Sequence, residues 1–383
     1  MNGHRIQSKT KAFSRTLILL LFLFSLLVSL LSACGKDPSA GSSTIEQESA
    51  AENEASSPQE TTAAVEETVP EEDTPDEEET TMTIQRPTDE PFKLIGYMPN
   101  WYDKSALNNV HLEKFTHINY AFAIPTEDGH VRDLPSKSFA EALITMAHEN
   151  DVKVLLSVGG WSYNNEVLEP TFVAATQTME ECDFLAQNIV EAALQYGFDG
   201  VDLDWEHPNK DTYQQYENLV VCLAQHCHDN SLLFTCAVVG GSSMDKAITD
   251  TAAASFDWLN VMCYDGGEGE DHSPMSLAVD YINYWRERGI PASKLTLGVP
   301  FYERPSWNAY GTLVSADPDN AHRDTTEYQG KTVYYNGIET MQEKTRFALE
   351  NACGIMIWQI NQDAAKEELS LLNAICQMIQ KAE

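Results

Sequence analysis

From Phe92 onward the sequence repeats one pattern, a short and nearly continuous apolar run followed by a longer stretch with helical periodicity. The short runs are FKLIGYM at 92, FTHINYAFA at 115, VKVLLSV at 152, FDGVDLDW at 198, LLFTCAVV at 232, DWLNVMCY at 257, LTLGVPF at 295 and CGIMIWQI at 353. Strands that are apolar on both faces belong to a parallel sheet, because the helices joining parallel strands cover it. The intervening stretches supply those helices. MEECDFLAQNIVEAALQYG from 179 and SPMSLAVDYINYWRERG from 273 are two of them, and the second ends at Gly289 with Pro291 just beyond, a helix stop. Eight such units between residues 91 and 383 are the count and size of an α/β fold, a single (β/α)8 TIM barrel. An open doubly wound sheet is the other arrangement that the alternation permits. One connection is long: after GVPFYERP, residues 306–332 read as a loop before a helix near Gly337. Long loops at the C-terminal ends of barrel strands usually serve a site.

The first ninety residues are of another kind. Arg5, Lys9, Lys11 and Arg15 precede the apolar run Leu17 to Ala33, the layout of a secretory signal, which assigns residues 1–33 to a leader. The run ends in LSAC, which resembles the lipobox of bacterial lipoproteins and would make Cys34 the lipidated residue. An uncleaved transmembrane anchor is the alternative, and both readings tether the chain to a membrane at the extracellular face. Residues 34–90 are rich in Glu, Thr, Ser, Pro and Ala and lack aromatic residues, so they are expected to form a disordered acidic linker. The formal charge of the chain is −35; the leader contributes +4 and residues 35–90 contribute −15, which leaves −24 for residues 91–383. A domain that acidic repels phosphate backbones, which excludes nucleic acid as a partner and favours a neutral polymer or a cationic substrate. The seven cysteines other than Cys34 form no CxxC pair and sit mostly in apolar runs, so buried free thiols are expected. No Cys/His cluster has metal-ligand spacing, and no metal or cofactor is expected.

The fourth apolar run holds what a purely structural strand does not explain. In GFDGVDLDWEHP, Asp202, Asp204 and Glu206 alternate with Leu203 and Trp205, and residues at i, i+2 and i+4 of a strand share one face. If this is the fourth barrel strand, Val201 and Leu203 meet the helices and the carboxyl groups face the barrel axis, a space normally filled by branched apolar side chains. Burying several carboxylates together is costly, so at least one must hold a proton or find strong donors. Neighbouring acids whose pKa values are pushed apart suit acid catalysis at neutral pH. Glu206, the last of them, falls at the C-terminal end of the strand, where barrel enzymes place their chemistry.

DGVDLDWE at 199–206 resembles the DGxDxDxE signature of family 18 glycoside hydrolases, the chitinase family. SVGGW at 157–161 is similar to its third-strand SxGG motif, VMCYD at 261–265 to its sixth-strand MxYD motif, and IGYMPNW at 95–101 and IWQ at 357–359 to its first and eighth strands. The resemblance covers about residues 93–380. It implies that Glu206 protonates the glycosidic oxygen and that no second carboxylate acts as nucleophile, since this family is substrate-assisted. The substrate's 2-acetamido oxygen attacks the anomeric carbon instead. Asp204 would hydrogen-bond the acetamido N–H, Asp202 would share a proton with Asp204, and Tyr264 would hold the acetamido group from the other side. Trp358 would be the apolar floor under the sugar, and Tyr97, Trp101, Phe122, Gly160, Trp161, Met262 and Asp265 would complete the substrate-binding set.

The sequence also departs from the family. His207 follows Glu206 where many members carry Tyr, Gln359 follows Trp358 where an acid is frequent, and the segment after the seventh strand is too short for a large α+β insertion. The expectation is therefore a monomeric, tethered, retaining glycosidase acting on β-1,4-linked N-acetylglucosamine glycans, chitin or chito-oligosaccharides. An endo-β-N-acetylglucosaminidase on N-glycans or peptidoglycan, and a non-catalytic chitinase-like lectin, are the other readings. Glu at position 206 speaks against the lectin.

Overall fold

The structure, a computed structural model, describes residues 84–241 and 245–382. The leader, Cys34 and nearly all of the linker lie outside the described residues. Among the described residues no helix is long and apolar enough to cross a membrane.

Eight parallel strands close into a barrel: β1 Lys93–Pro99, β2 His117–Ala123, β3 Lys153–Gly159, β4 Gly200–Asp204, β5 Leu233–Val238, β6 Trp258–Met262, β7 Leu295–Pro300 and β8 Gly354–Trp358. Each pairs with its neighbours in chain order, and β1 closes on β8 with Lys93 opposite Gly354. Six fall within the apolar runs of the sequence, and β1 and β3 each run one residue past theirs, to Pro99 and Gly159. The mantle helices are α1 Lys137–His148, α2 Met179–Tyr196, α3 Tyr213–Asp229, α4 Asp250–Ser255, α5 Met275–Glu287, α6 Ile338–Asn351 and α7 Leu371–Ala382, and a 3-10 helix at Lys104–Asn109 follows β1. Helix α2 shows how local sequence fixes these elements. The Thr178 side chain accepts from the Glu181 amide while Glu181 reaches back to the Thr178 amide, and Gly197 closes the other end at φ +80°. Between the caps, Cys182, Leu185, Ala186, Ile189, Val190 and Ala193 form a single buried stripe.

Two cores result. The larger lies between strands and helices and takes Val201 and Leu203 of β4; the smaller lies inside the barrel and includes Ile95, Tyr97, Ala121, Trp258, Met262 and Met356. The acids of β4 thus face the axis, as their alternation requires. Six of the seven described cysteines are buried, and all seven are free.

The long connection after β7 is not the plain loop that its sequence suggests. It contains a short helix, Tyr310–Ala316, a 3-10 turn at Pro318–His322, and an antiparallel hairpin of Thr325–Tyr328 with Lys331–Tyr334. The helix is only two turns long, too short for its buried Tyr310, Leu313 and Val314 to establish a period. The hairpin turns at Gln329 and Gly330, both with positive φ, the geometry that two-residue hairpin turns demand.

Candidate active site

Strand β4 is buried along its whole length and delivers its acids at three depths. Asp202 is fully enclosed. Its Oδ2 accepts from Tyr97 Oη (2.7 Å) and Ser157 Oγ (2.8 Å), and its Oδ1 from Thr235 Oγ1 (2.6 Å) and Asn260 Nδ2 (3.0 Å). The barrel register makes this possible, since Ser157 and Thr235 lie directly across from Asp202 on either side. Burial pushes the Asp202 carboxyl up, while the four hydrogen bonds pull the other way. Both its oxygens are thus occupied by neutral donors, and Asp204 is not among its partners.

Asp204, nearer the mouth, is different. Burial first, and then the charges of Glu206 and Asp202, raise its pKa well above the ordinary carboxylate value. Its Oδ1 is buried and has no hydrogen-bond partner among the described residues. A row of acids is tolerable here because Asp202 is solvated by donors and Asp204 is driven toward its protonated form. Glu206 lies just past the strand, partly accessible, with Oε2 3.3 Å from His207 Nε2.

Around the acids stands an aromatic wall. Trp358, at the end of β8, meets Tyr97 edge-on (5.6 Å between centroids), stacks against Phe122 (5.7 Å, 26°) and meets Trp101 edge-on at 6.2 Å. Trp101 and Trp161 are each more than half exposed, and Trp161 lies beside His207. Tyr264, half-buried, places Oη 3.9 Å from Met356 Sδ. Burial, then the charges of Asp204 and Glu206, push its phenol pKa well up, so it is a neutral hydrogen-bond donor at any ordinary pH. Asp265 accepts from Tyr302 Oη (2.7 Å) and Arg304 Nη1 (3.0 Å), and His272 Nδ1 lies 3.0 Å away. Burial acts to raise its pKa, but hydrogen bonds from His272 and Tyr302 and the charges of His272 and Arg304 hold it below the usual range.

These groups line one cleft of about 770 Å³ at the C-terminal ends of the strands. Of the residues singled out in the sequence, Tyr97, Trp101, Phe122, Trp161, Asp204, Glu206, Met262, Tyr264, Asp265 and Trp358 all line it. Asp202 lies beneath. Gly160 is not on the lining: a Cβ there would stand 2.8 Å from the Phe122 ring, so its small size seats Phe122, and its backbone adopts φ +87°. Tyr302, Arg304, Trp307 and Gln362 join the cleft unanticipated. The sequence did hold a pointer to the first three, because YERPSW directly follows the seventh strand. A groove of about 800 Å³ beside Phe92 and Leu94 lies at the other end of the barrel and contains none of the acids of β4. Barrel chemistry belongs to the C-terminal face, which leaves the aromatic cleft as the candidate site. Among the described residues no group of His, Cys, Asp and Glu is disposed to hold a metal ion.

Comparison with known proteins agrees with this geometry. The model of the family described as glycosyl hydrolases family 18 matches residues 93–363. A chitinase-like effector of Moniliophthora roreri is 28% identical over 254 residues, covering 58% of this chain and 61% of the relative, so the chain spans less than two thirds of that protein. Among solved structures, a family 18 chitinase from the chitin utilization locus of Flavobacterium johnsoniae superposes with a TM-score of 0.68 at 26% identity, covering 76% of this chain and 94% of that one. A chitinase from Bacteroides thetaiotaomicron gives a TM-score of 0.65 at 26% identity, covering 76% and 97%.

Proposed function

Because the chain belongs to the glycosyl hydrolases of family 18, we propose that it hydrolyses β-1,4-linked N-acetylglucosamine glycans, chitin or chito-oligosaccharides, by substrate-assisted retaining catalysis. The observation that carries this reading is the unpartnered, buried Oδ1 of Asp204, in the wall of the cleft that Glu206 and Tyr264 also line. A buried acceptor without a donor costs about 1–3 kcal/mol, and an acetamido N–H supplies the missing donor.

In this mechanism Glu206 gives its proton to the glycosidic oxygen as the bond to the anomeric carbon breaks. The acetamido carbonyl oxygen bonds that carbon and closes an oxazolinium ring. The acetamido N–H donates to Asp204 Oδ1, and that bond strengthens as positive charge spreads onto the nitrogen. Tyr264 donates to the acetamido oxygen and steadies it for attack. Glu206, now a carboxylate, takes a proton from the water that opens the ring. Trp358, backed by Phe122 and Tyr97, forms the floor under the sugar at the cleavage point.

Turnover of chitotriose, a high-mannose glycopeptide and cell-wall fragments, each with wild type and Glu206→Gln, tests the assignment. General acid catalysis of this kind is typically worth ~10²–10⁴-fold. Cleavage of chitotriose that falls by that factor in the variant supports the reading. Near-wild-type turnover by the variant, or cleavage of only one of the other two substrates, overturns it.

The sequence alone supports a second proposal, that the enzyme is exported and held at the membrane through a lipid on Cys34. Mass spectrometry of the mature N-terminus checks it: a diacylglycerol-modified Cys34 is expected, lost in Cys34→Ser, and an unmodified N-terminus elsewhere contradicts it.

A further inference from the structure

The loop after β7 is built to hold out one side chain that the proposed chemistry does not use. Glu303 is wholly buried, and its carboxylate accepts the amides of Ser306 (3.1 Å) and Asn308 (2.9 Å) and the Asn308 side-chain nitrogen (2.5 Å). The backbone closes the same ring, with Glu303 N–H donating to Asn308 O and Trp307 N–H to Glu303 O. The hairpin at 325–334 buttresses this loop. Arg304 and Tyr334 exchange both backbone hydrogen bonds at 2.9 Å, and Lys331 Nζ donates to Ser306 Oγ.

At the tip sits Trp307, at φ +63°, a left-handed backbone that a bulky residue adopts only when its surroundings enforce it. It lines the cleft yet is 54% exposed. Its indole stacks on Tyr302 (5.2 Å, 14°), and the Arg304 guanidinium lies 4.0 Å from its ring centroid. Tyr302 and Arg304 are both fixed by Asp265. An exposed indole, packed against an aromatic ring and a cation and held in a disfavoured backbone, is a rigid apolar surface on the lining of the cleft.

We propose that Trp307 is a platform on which the apolar face of an N-acetylglucosamine unit away from the cleaved bond packs, and that Glu303 is the residue positioning it. On this account the loop after β7 lengthens the sugar-binding cleft, with the hairpin as its buttress. The inference rests on the enzyme acting on N-acetylglucosamine chains.

Steady-state kinetics on chitotriose and chitohexaose test it with wild type, Trp307→Ala, Trp307→Tyr, Glu303→Gln and the Trp307→Ala/Glu303→Gln double variant. Loss of one aromatic contact is expected to raise KM for chitohexaose about three- to tenfold, more than for chitotriose and with most of the change in KM. Tyr should recover much of the loss. Glu303→Gln should raise KM in the same length-dependent way, and add little in the Trp307→Ala background, because it acts through that ring. Equal effects of Trp307→Ala on both substrates, or fully additive effects of the two substitutions, overturn the proposal. Wild type that cleaves neither substrate overturns the glycosidase reading instead; titration calorimetry of chitohexaose against wild type and Trp307→Ala then decides the platform by itself, equal affinity or no binding refuting it.

Discussion

The hydrogen bonds around Asp202 make a quantitative demand. Tyr97, Ser157, Thr235 and Asn260 all donate to this one carboxylate in a dry interior. Asp202→Ala removes the acceptor and strands four donors, each worth about 1–3 kcal/mol when unmet. Water entering the vacated space recovers part of this, so the lower figure applies, roughly 4 kcal/mol in all. That is a large share of the 5–15 kcal/mol typical of a folded domain, and corresponds to a melting point roughly 10 °C lower. Asp202→Asn is expected to behave otherwise. Asn260 cannot reverse its amide, because its Oδ1 already accepts from Trp258 Nε1 (3.1 Å) and Thr296 Oγ1 (2.9 Å). The new amide therefore keeps its oxygen toward Asn260 and Thr235 and turns its nitrogen to Tyr97 and Ser157, whose hydroxyls can accept. Four contacts persist in weaker, neutral form while a buried charge disappears, so the loss is no more than about 2 kcal/mol. Calorimetric melting of the full chain separates the two variants. If Ala and Asn melt within a degree or two of each other, the four bonds do not hold Asp202 as argued.

Gly160→Ala is expected to displace the Phe122 ring and misplace Trp358 behind it, lowering kcat/KM on chitotriose by an order of magnitude or more, since misplacement by about 1 Å can cost ~10²-fold; a wild-type value contradicts the packing role. Lys344 is fully buried, donates to Ser273 O, Ser273 Oγ and Asn336 Oδ1, and is lowered by burial to a pKa of about 8 from 10.5. Between those two values the unfolded chain holds a proton that the native state lacks, so stability attributable to Lys344 rises with pH through that window. Wild type should therefore gain about 3 kcal/mol relative to Lys344→Met from pH 7 to pH 10.5, read from urea midpoints; a difference that stays flat with pH contradicts it.

Much of this was legible in the chain because it is local. Period-two alternation placed Asp202 and Asp204 on the barrel axis, and near-continuous apolar runs located all eight strands. What escaped notice depends on closure. The donors to Asp202 come from β1, β3, β5 and β6, up to 105 residues away, and only the barrel register brings them together. The resemblance names Asp202 as a member of the site, but the four donors that hold it become visible only when the barrel closes. The resemblance puts Gly160 in the substrate-binding set, but the nearest claimant on the space beside it is Phe122, which lies on a different strand. The sequence marks the long loop after the seventh strand as one that serves a site, but not the order that presents Trp307. That order comes from one buried carboxylate gathering amides, Glu303, and such a device has no period.

The identity of the nucleophile decides the mechanism. If the acetamido oxygen attacks, each of the two displacements inverts the anomeric carbon and the first product is the β anomer. Asp204 and Asp202 then never bond the sugar. Proton NMR of the first product released from chitotriose, together with intact-protein mass spectrometry after exposure to a 2-fluoro sugar substrate, reads both events at once. The predicted result is a β product, no added mass, and very slow cleavage of any substrate lacking the 2-acetamido carbonyl. An α product, or a sugar covalently held on Asp204 or Asp202, would contradict it.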